Sequence, residues 1–209
     1  METSIKFTTR DLASLKNPQA VNCIDYFRKL FIKDLPESII DNCWIAGGGV
    51  KDWFTDGKVK NDCDFFCVDR KTMATLVYHL RNTYKFEHFL ITKNAIKGFG
   101  FIKGVKINID VVKKDFQNAI DTLEKFDFTV CCFAVCNDKF YWHESAPFDL
   151  LKNRLVINAL PHPVDTMKRM QKYIKKGFFA CNGTMMTIAK AIAELDANDE
   201  SQFEHYKFD

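Results

Sequence analysis

Two aspartates separated by one residue, Asp62 and Asp64, are the part of the sequence best suited to chemistry. Residues 62–68 are otherwise mostly apolar and aromatic, which predicts a β-strand. Side chains at positions i and i+2 of a strand point to the same face, so the two carboxylates would project together. Because neighbouring carboxylates repel each other unless a cation lies between them, the spacing predicts a site for Mg²⁺, which prefers oxygen ligands and leaves positions open for phosphate.

Three consecutive glycines, Gly47, Gly48 and Gly49, come shortly before the aspartate pair. Without a Cβ, such a turn lets backbone N–H groups approach an anion closely. The run has neither the third glycine of a dinucleotide fingerprint nor the lysine and hydroxyl residue of a Walker loop. A tight strand-to-helix turn without any ligand is the simpler alternative. Beside the carboxylates, the glycines predict a phosphate cradle typical of metal-dependent chemistry on a nucleotide.

A third carboxylate, Asp110, lies on the polar face of a second strand-like segment. Residues 106–112 alternate apolar and polar side chains, as expected of a strand with one buried face. The interval after Asp64 is long enough for a helix and a hairpin, so Asp110 is expected on a strand next to Asp62 and Asp64. Two-metal phosphoryl transfer uses such a carboxylate near the attacking oxygen.

The chain has 209 residues, 47% of them hydrophobic, and a formal net charge of +3. This charge is too small to establish a nucleic-acid partner. The eight cysteines contain no Cys-x-x-Cys pair and lie mostly in apolar runs, so neither zinc nor disulfides are expected. We expect no membrane span and no secretory leader. Free cysteines are typical of a reducing compartment, so a cytoplasmic protein is expected.

The predicted helices and strands alternate irregularly along the chain, which is typical of an α+β fold. Helices are expected over residues 18–33, 70–83, 116–126, 163–176 and 182–195, and strands over residues 43–46, 62–68, 84–92, 96–102, 105–112 and 128–136.

In their order along the chain, these motifs resemble those of template-independent nucleotidyltransferases of the polymerase-β-like superfamily. The nearest branch is the head domain of CCA-adding enzymes and bacterial poly(A) polymerases. The resemblance rests on the glycine turn, the aspartate pair, the strand around Asp110, residues 126–131 and the helix over residues 163–169. Each motif is weak alone, but several in the right order are much stronger.

The resemblance implies an α+β nucleotidyltransferase-type head, a mixed sheet flanked by helices, over residues 1–160. Residues 161–209 would be a short helical appendage that closes the nucleotide pocket. Transfer of a nucleoside monophosphate from a nucleoside triphosphate such as ATP to an acceptor hydroxyl would follow, with two Mg²⁺ ions and an RNA 3′ end as the default acceptor. The implied metal ligands are Asp62, Asp64 and Asp110, and the implied nucleotide-binding residues are Gly47, Gly48, Gly49, Lys51, Asp127 and Arg169.

The sequence departs from the family pattern where base and ribose would be selected. Lys51 replaces an arginine and loses its bidentate fork, Phe126 replaces a second arginine, and Cys131 replaces an asparagine. Two alternatives therefore stay open: a non-catalytic interaction or structural protein of the same fold, and a toxin-like transferase that modifies transfer RNA or a protein. Four lysines at helical spacing after Met167 form either an RNA track or a solvated helix face.

Overall fold

The computed structural model describes residues 6–59, 62–86 and 88–195. In this part of the chain, eight strands form one mixed sheet in the order β1-β8-β7-β2-β3-β6-β5-β4. These strands are β1 (Phe7–Asp11), β2 (Cys43–Ala46), β3 (Cys63–Cys67), β4 (His88–Ile91), β5 (Ala95–Ile102), β6 (Val105–Asp115), β7 (Phe133–Cys136) and β8 (Lys139–His143). Two short strands, β9 (Arg154–Leu155) and β10 (Phe179–Ala180), pair in parallel outside it.

The helices lie on both faces of the large sheet and after it. They are α1 (Pro18–Leu30), α2 (Glu37–Ile40), α3 (Gly48–Asp56), α4 (Arg70–Asn82), α5 (Ala119–Glu124), α6 (Ala146–Leu151), α7 (Pro163–Ile174) and α8 (Asn182–Ala193). Side-chain caps fix where two of the longer ones begin, since Asn17 accepts the first N–H groups of α1 and Asp69 accepts the Thr72 N–H of α4. In the described residues, no helix has the length and apolar character needed to cross a membrane.

Two apolar layers sandwich the sheet. Ile24 and Phe27 of α1, Val50 of α3 and Leu76 of α4 pack against one face. On the opposite face, Leu123 of α5 belongs to a cluster with the inner strands. A third cluster joins α7 and α8 to the segment around Phe128. The carboxylate-bearing face of β3 and β6 is therefore the face that α5 covers only in part.

Strand pairing at the centre of the sheet decides which side chains meet. β3 runs antiparallel to β2 and parallel to β6, and β5 runs antiparallel to β6. A parallel pair requires a crossover connection, which α4, β4 and β5 supply here. This topology brings Asp64 and Asp110 to the same register position on neighbouring strands.

The predicted α+β class, with a mixed sheet flanked by helices, is confirmed. The predicted strand over residues 128–136 is wrong in its first half, because Thr129–Cys131 form a 3-10 helix and β7 begins only at Phe133. Side-chain hydrogen bonds explain the difference: Asp127 accepts the Phe128 N–H, and the Thr129 hydroxyl donates to Asp149. The division of the chain at residue 160 stays a prediction, and part of the predicted appendage, residues 196–209, lies outside the described residues.

Candidate active site

A cavity of about 450 Å³ opens beside the glycine turn, within the size range of small-ligand sites. It lies between the end of β2, the α5 region and α7. Several sequence-predicted residues line it together: Gly47, Gly48, Asp64, Asp127 and Arg169. The remainder of the lining comes from Val112, Lys114, Phe116, Thr122, Lys125, Phe126, Cys131, Pro161, His162 and Tyr173.

The three glycines of the turn have different structural roles. Gly47 has a φ of +83°, and a Cβ there would lie 3.4 Å from the Phe126 ring. A Cβ on Gly49 would lie 3.1 Å from the Asp62 carbonyl oxygen. At Gly48 a Cβ would meet no atom within 4 Å. Backbone conformation or close packing thus requires glycine at two positions, while Gly48, the first residue of α3, leaves open space at the cavity.

Asp64 lies in a field of like charge. Burial is the main cause that raises its pKa to about 7, and the carboxylates of Asp110 and Asp62 raise it further, while Lys97 lowers it. The structure therefore brings the three predicted aspartates within electrostatic range of one another. A carboxyl group whose pKa lies near neutrality stays only partly ionised until a positive charge arrives.

Lys97 and Asn108 hold the other two carboxylates. The Lys97 ammonium group forms an ion pair with Asp110, its register partner across β5 and β6. The hydrogen bond to Asp110 is also the main cause that raises the Lys97 pKa. On the other side, the Asn108 amide donates to Asp62 Oδ1 at 3.0 Å.

The oxygen ligands of this cluster fit a hard divalent cation, although the three carboxylates do not form a complete coordination site. All the donors are carboxylate oxygens, and the Lys97 ammonium already stands in for a cation at Asp110. Among the described residues, however, no group of three or more His, Cys, Asp or Glu side chains is arranged to hold a metal ion. Asp62, Asp64 and Asp110, which act electrostatically on one another, are the residues that would hold such cations.

Asp127 and Arg169 form the opposite wall of the cavity. Asp127 is buried, accepts the Phe128 N–H at 3.0 Å through Oδ1, and accepts the Arg169 Nε–H through Oδ2. Beside this pair, Cys131 Sγ and Tyr173 Oη form a 2.7 Å hydrogen bond. The resulting wall combines a charged pair with an aromatic ring, a surface suited to a planar, hydrogen-bonding ligand.

Lys51 does not line the cavity. Its side chain is buried, pairs with Asp52 at 2.7 Å, and lies over the rings of Tyr173 and Phe178 at 5.4 and 5.7 Å. The predicted phosphate contact of Lys51 stays a prediction, since the structure shows its ammonium group paired with Asp52 and lying over two rings. Lys51 therefore supports the wall that carries Tyr173.

The sequence did not assign to the site four residues that give the cavity its positive charge and aromatic surface. Lys114 and Lys125 add positive charge, and Phe116 and Phe126 add aromatic surface. Two signals were available: Phe126 stands where the resembling family has an arginine, and Lys114 lies in the same strand as Asp110, four residues further along.

Solved CCA-adding enzymes share this fold. The Thermotoga maritima enzyme complexed with tRNA gives a TM-score of 0.58 at 17% identity, covering 89% of this chain and 46% of that chain. A CCA-adding enzyme in complex with CTP gives 0.59 at 16% identity, with 89% and 45% covered. The complex with ATP gives 0.56 at 18% identity, with 89% and 46% covered. The chain spans less than half the length of these enzymes, and at such identities the likeness shows the fold alone.

Sequence comparison identifies the family. No curated protein matches the chain. The family model described as Gad2, Gabija anti-defense 2 family protein, matches residues 19–153. This match includes the glycine turn, all three aspartates of the carboxylate cluster and Asp127, and it extends over more than half of the 209 residues. The chain therefore belongs to the Gabija anti-defense 2 family.

Proposed function

We propose that this protein is a metal-dependent nucleotidyltransferase that moves a nucleoside monophosphate from a nucleoside triphosphate to an acceptor hydroxyl. The observation that carries the proposal is the register pairing of Asp64 with Asp110 beside a cavity that Gly48 leaves open. Buried like charges of this kind destabilise a folded protein, so their presence next to a ligand-sized cavity favours a functional role.

The cavity offers separate surfaces for the parts of a nucleotide. The first N–H groups of a helix have no partners within it, and Gly48, the first residue of α3, lines the cavity. We assign the triphosphate to this side, with Lys114 adding positive charge. The base is assigned to the wall formed by Phe126, Tyr173 and the Asp127–Arg169 pair.

The proposed step is an in-line displacement at the α-phosphorus. The acceptor oxygen forms the new P–O bond, the bond from the α-phosphorus to the oxygen that bridges it to the β-phosphorus breaks, and pyrophosphate leaves with that electron pair. Asp110 orients the acceptor hydroxyl and receives its proton, which then passes to solvent. Two Mg²⁺ ions at Asp62, Asp64 and Asp110 would supply the positive charge that such a transition state requires.

The acceptor we propose is an RNA 3′ end. The structural neighbours include complexes with tRNA, CTP and ATP, which suggest RNA and nucleoside triphosphates as ligand classes for this fold. The family name states an anti-defense role against Gabija. We propose that nucleotidyl transfer serves that role.

A non-catalytic interaction protein of the same fold is the second candidate. One observation favours it: the Lys97 ammonium group lies on Asp110, so the carboxylate cluster of the described structure is already partly neutralised by a resident cation. In that case the cavity would bind a nucleotide or a partner without turnover.

Labelling separates the two candidates. The protein is incubated with Mg²⁺, each α-labelled nucleoside triphosphate in turn, and total RNA, and the label in RNA, protein and free products is measured. Transfer that is lost in Asp64→Asn and retained in Asp115→Asn, an exposed carboxylate at the end of β6, supports the enzyme. Triphosphate binding without any transfer would support the non-catalytic protein instead.

A further inference from the structure

The two faces of β5 differ in a way that core packing does not explain. On one face, Gly98 and Gly100 pack so closely that a Cβ would lie 2.9 and 3.1 Å, respectively, from the Phe86 ring. On the other face, Phe99 is 42% exposed and Phe101 is 64% exposed. Two phenylalanine rings therefore project side by side from a sheet into solvent.

Strand register extends this exposed face to the carboxylate cluster. Phe101 pairs with Lys106 and Phe99 with Asn108 across β5 and β6. The next pair on the same face is Lys97 with Asp110. Directly paired residues point to the same face, and successive pairs lie about 7 Å apart. Two rings flanked by an amine and an amide thus lead in a straight line to Asp110. We name this surface, formed by Lys97, Phe99, Phe101, Lys106 and Asn108, the aromatic face.

The aromatic face continues into the cavity. Beyond Asp110, the same face of β6 carries Val112 and Lys114, and both residues line the cavity. A ligand lying along β5 and β6 would therefore reach the cavity from the side of Asp110. This is the side where the acceptor hydroxyl must enter, because the glycine turn at the other side of Asp64 is assigned to the triphosphate.

The composition of the aromatic face matches one class of partner. Proteins bind single-stranded nucleic acids by stacking bases on aromatic rings exposed on a sheet, with cationic and amide groups between them for phosphates and base edges. Lys106 and Asn108 alternate with the rings in this way. A purely apolar protein contact would have no use for an amine and an amide within the row.

We propose that the aromatic face binds the unpaired 3′-terminal nucleotides of a single-stranded RNA acceptor, with Phe99 and Phe101 stacking on its bases. The terminal hydroxyl then lies at Asp110. This inference rests on the proposed function and specifies its acceptor: a flexible, unpaired RNA end that does not have to be held as a duplex.

Fluorescence anisotropy with a labelled oligoadenylate of about ten nucleotides, within the site size of single-strand binders, tests the proposal. Replacing both rings, Phe99→Leu with Phe101→Leu, keeps apolar surface but removes stacking, and affinity should fall about tenfold or more. The variant Phe99→Tyr with Phe101→Tyr should bind like the wild type. Phe148→Leu, at a 52% exposed phenylalanine in α6, is the matched control and should not change affinity.

The salt dependence of binding by a Lys106 variant tests the proposal independently. Lys106→Gln should lower the slope of log affinity against log salt concentration by about 0.7, the value for one phosphate contact on a single strand. An unchanged slope would overturn the assignment of Lys106 to a phosphate.

Calorimetry with a nucleoside triphosphate separates this proposal from the proposed function. Wild-type protein that binds the triphosphate but not the oligonucleotide overturns the aromatic face and leaves the transferase intact. Absence of triphosphate binding overturns the transferase itself. Wild-type oligonucleotide affinity in the double leucine variant also overturns base stacking on Phe99 and Phe101.

Discussion

Two buried carboxylates in this protein lie in opposite environments. Asp149 is fully buried, and its oxygens accept from Arg154 Nε at 2.9 Å, from the second Arg154 nitrogen at 2.5 Å and from the Thr129 hydroxyl at 2.6 Å. Asp64 instead faces two further carboxylates, and its pKa rises to about 7. Arg154 and Thr129 satisfy the Asp149 carboxylate. Asp64 has no comparable set of partners among the described contacts, and it lines the cavity.

We infer from this difference that Asp149 is a structural carboxylate and that Asp64 is the carboxylate available for a ligand. A fold can bury a carboxylate stably when an arginine and a hydroxyl satisfy it. Clustered carboxylates without enough cations cost free energy, and such a cost persists where a ligand relieves it. Four experiments test or refine this distinction.

Removing the structural carboxylate should have the largest effect. Asp149→Asn removes the negative charge that pairs with the Arg154 guanidinium, and breaking a buried ion pair costs about 3–5 kcal/mol. Chemical denaturation of the variant should show a loss near the lower end of that range, because Arg154 is partly exposed. A loss below 1 kcal/mol would mean that the pair does not stabilise the fold.

Removing the Asp64 carboxylate should change the free energy of unfolding in the opposite direction. Because the folded pKa of Asp64 lies above its ordinary value of 3.8, the ionised group destabilises the folded state. This cost is absent below about pH 4, grows as the pH rises, and is complete above about pH 7. Its upper limit is about 4 kcal/mol.

Asp64→Asn should therefore raise the free energy of unfolding by roughly 2 kcal/mol at pH 8 with chelator present, and by almost nothing at pH 4. Denaturation curves at the two pH values measure this difference. A gain in stability that does not depend on pH, or a loss of stability at pH 8, would contradict the view that neighbouring carboxylates and burial destabilise ionised Asp64.

A substitution in the glycine turn tests triphosphate binding separately from the stability of the fold. Gly48→Val should change the free energy of unfolding by less than about 1 kcal/mol, since φ at this position is ordinary and its Cβ has open space. Triphosphate affinity measured by calorimetry should fall at least tenfold, because the new side chain extends toward the cavity. Gly57→Ala, at a positive-φ position at the far end of α3, is the control that should lose stability and keep affinity.

Removing the resident cation should have the smallest effect. Lys97 is partly exposed, so Lys97→Gln should lower metal-free stability by about 1 kcal/mol or less. Because Asp110 then lacks its lysine, Mn²⁺ should bind severalfold more tightly and raise the melting temperature more than in the wild type. Equal metal affinity in both proteins would show that Lys97 does not compete for the cation position.

The sequence by itself determined the elements that carry the site. Strand alternation placed Asp110 on the polar face of its strand, and the glycines marked the turn before α3, because both signals depend on a few neighbouring residues. The resemblance to nucleotidyltransferases implied Asp127 and Arg169 as nucleotide-binding residues. The structure brings these two side chains together, and their nucleotide-binding role stays a prediction.

Only the tertiary structure decided which side chains meet. The parallel register of Asp64 with Asp110, the ion pair of Lys97 with Asp110, and the inward turn of Lys51 all depend on contacts between segments far apart in the chain. The exposure of Phe99 and Phe101 was equally hidden, since a phenylalanine-rich sequence gives no sign of which rings the sheet leaves uncovered. Local patterns fix the period and direction of side chains, whereas the neighbour that each side chain meets is fixed by packing and strand pairing across the whole domain.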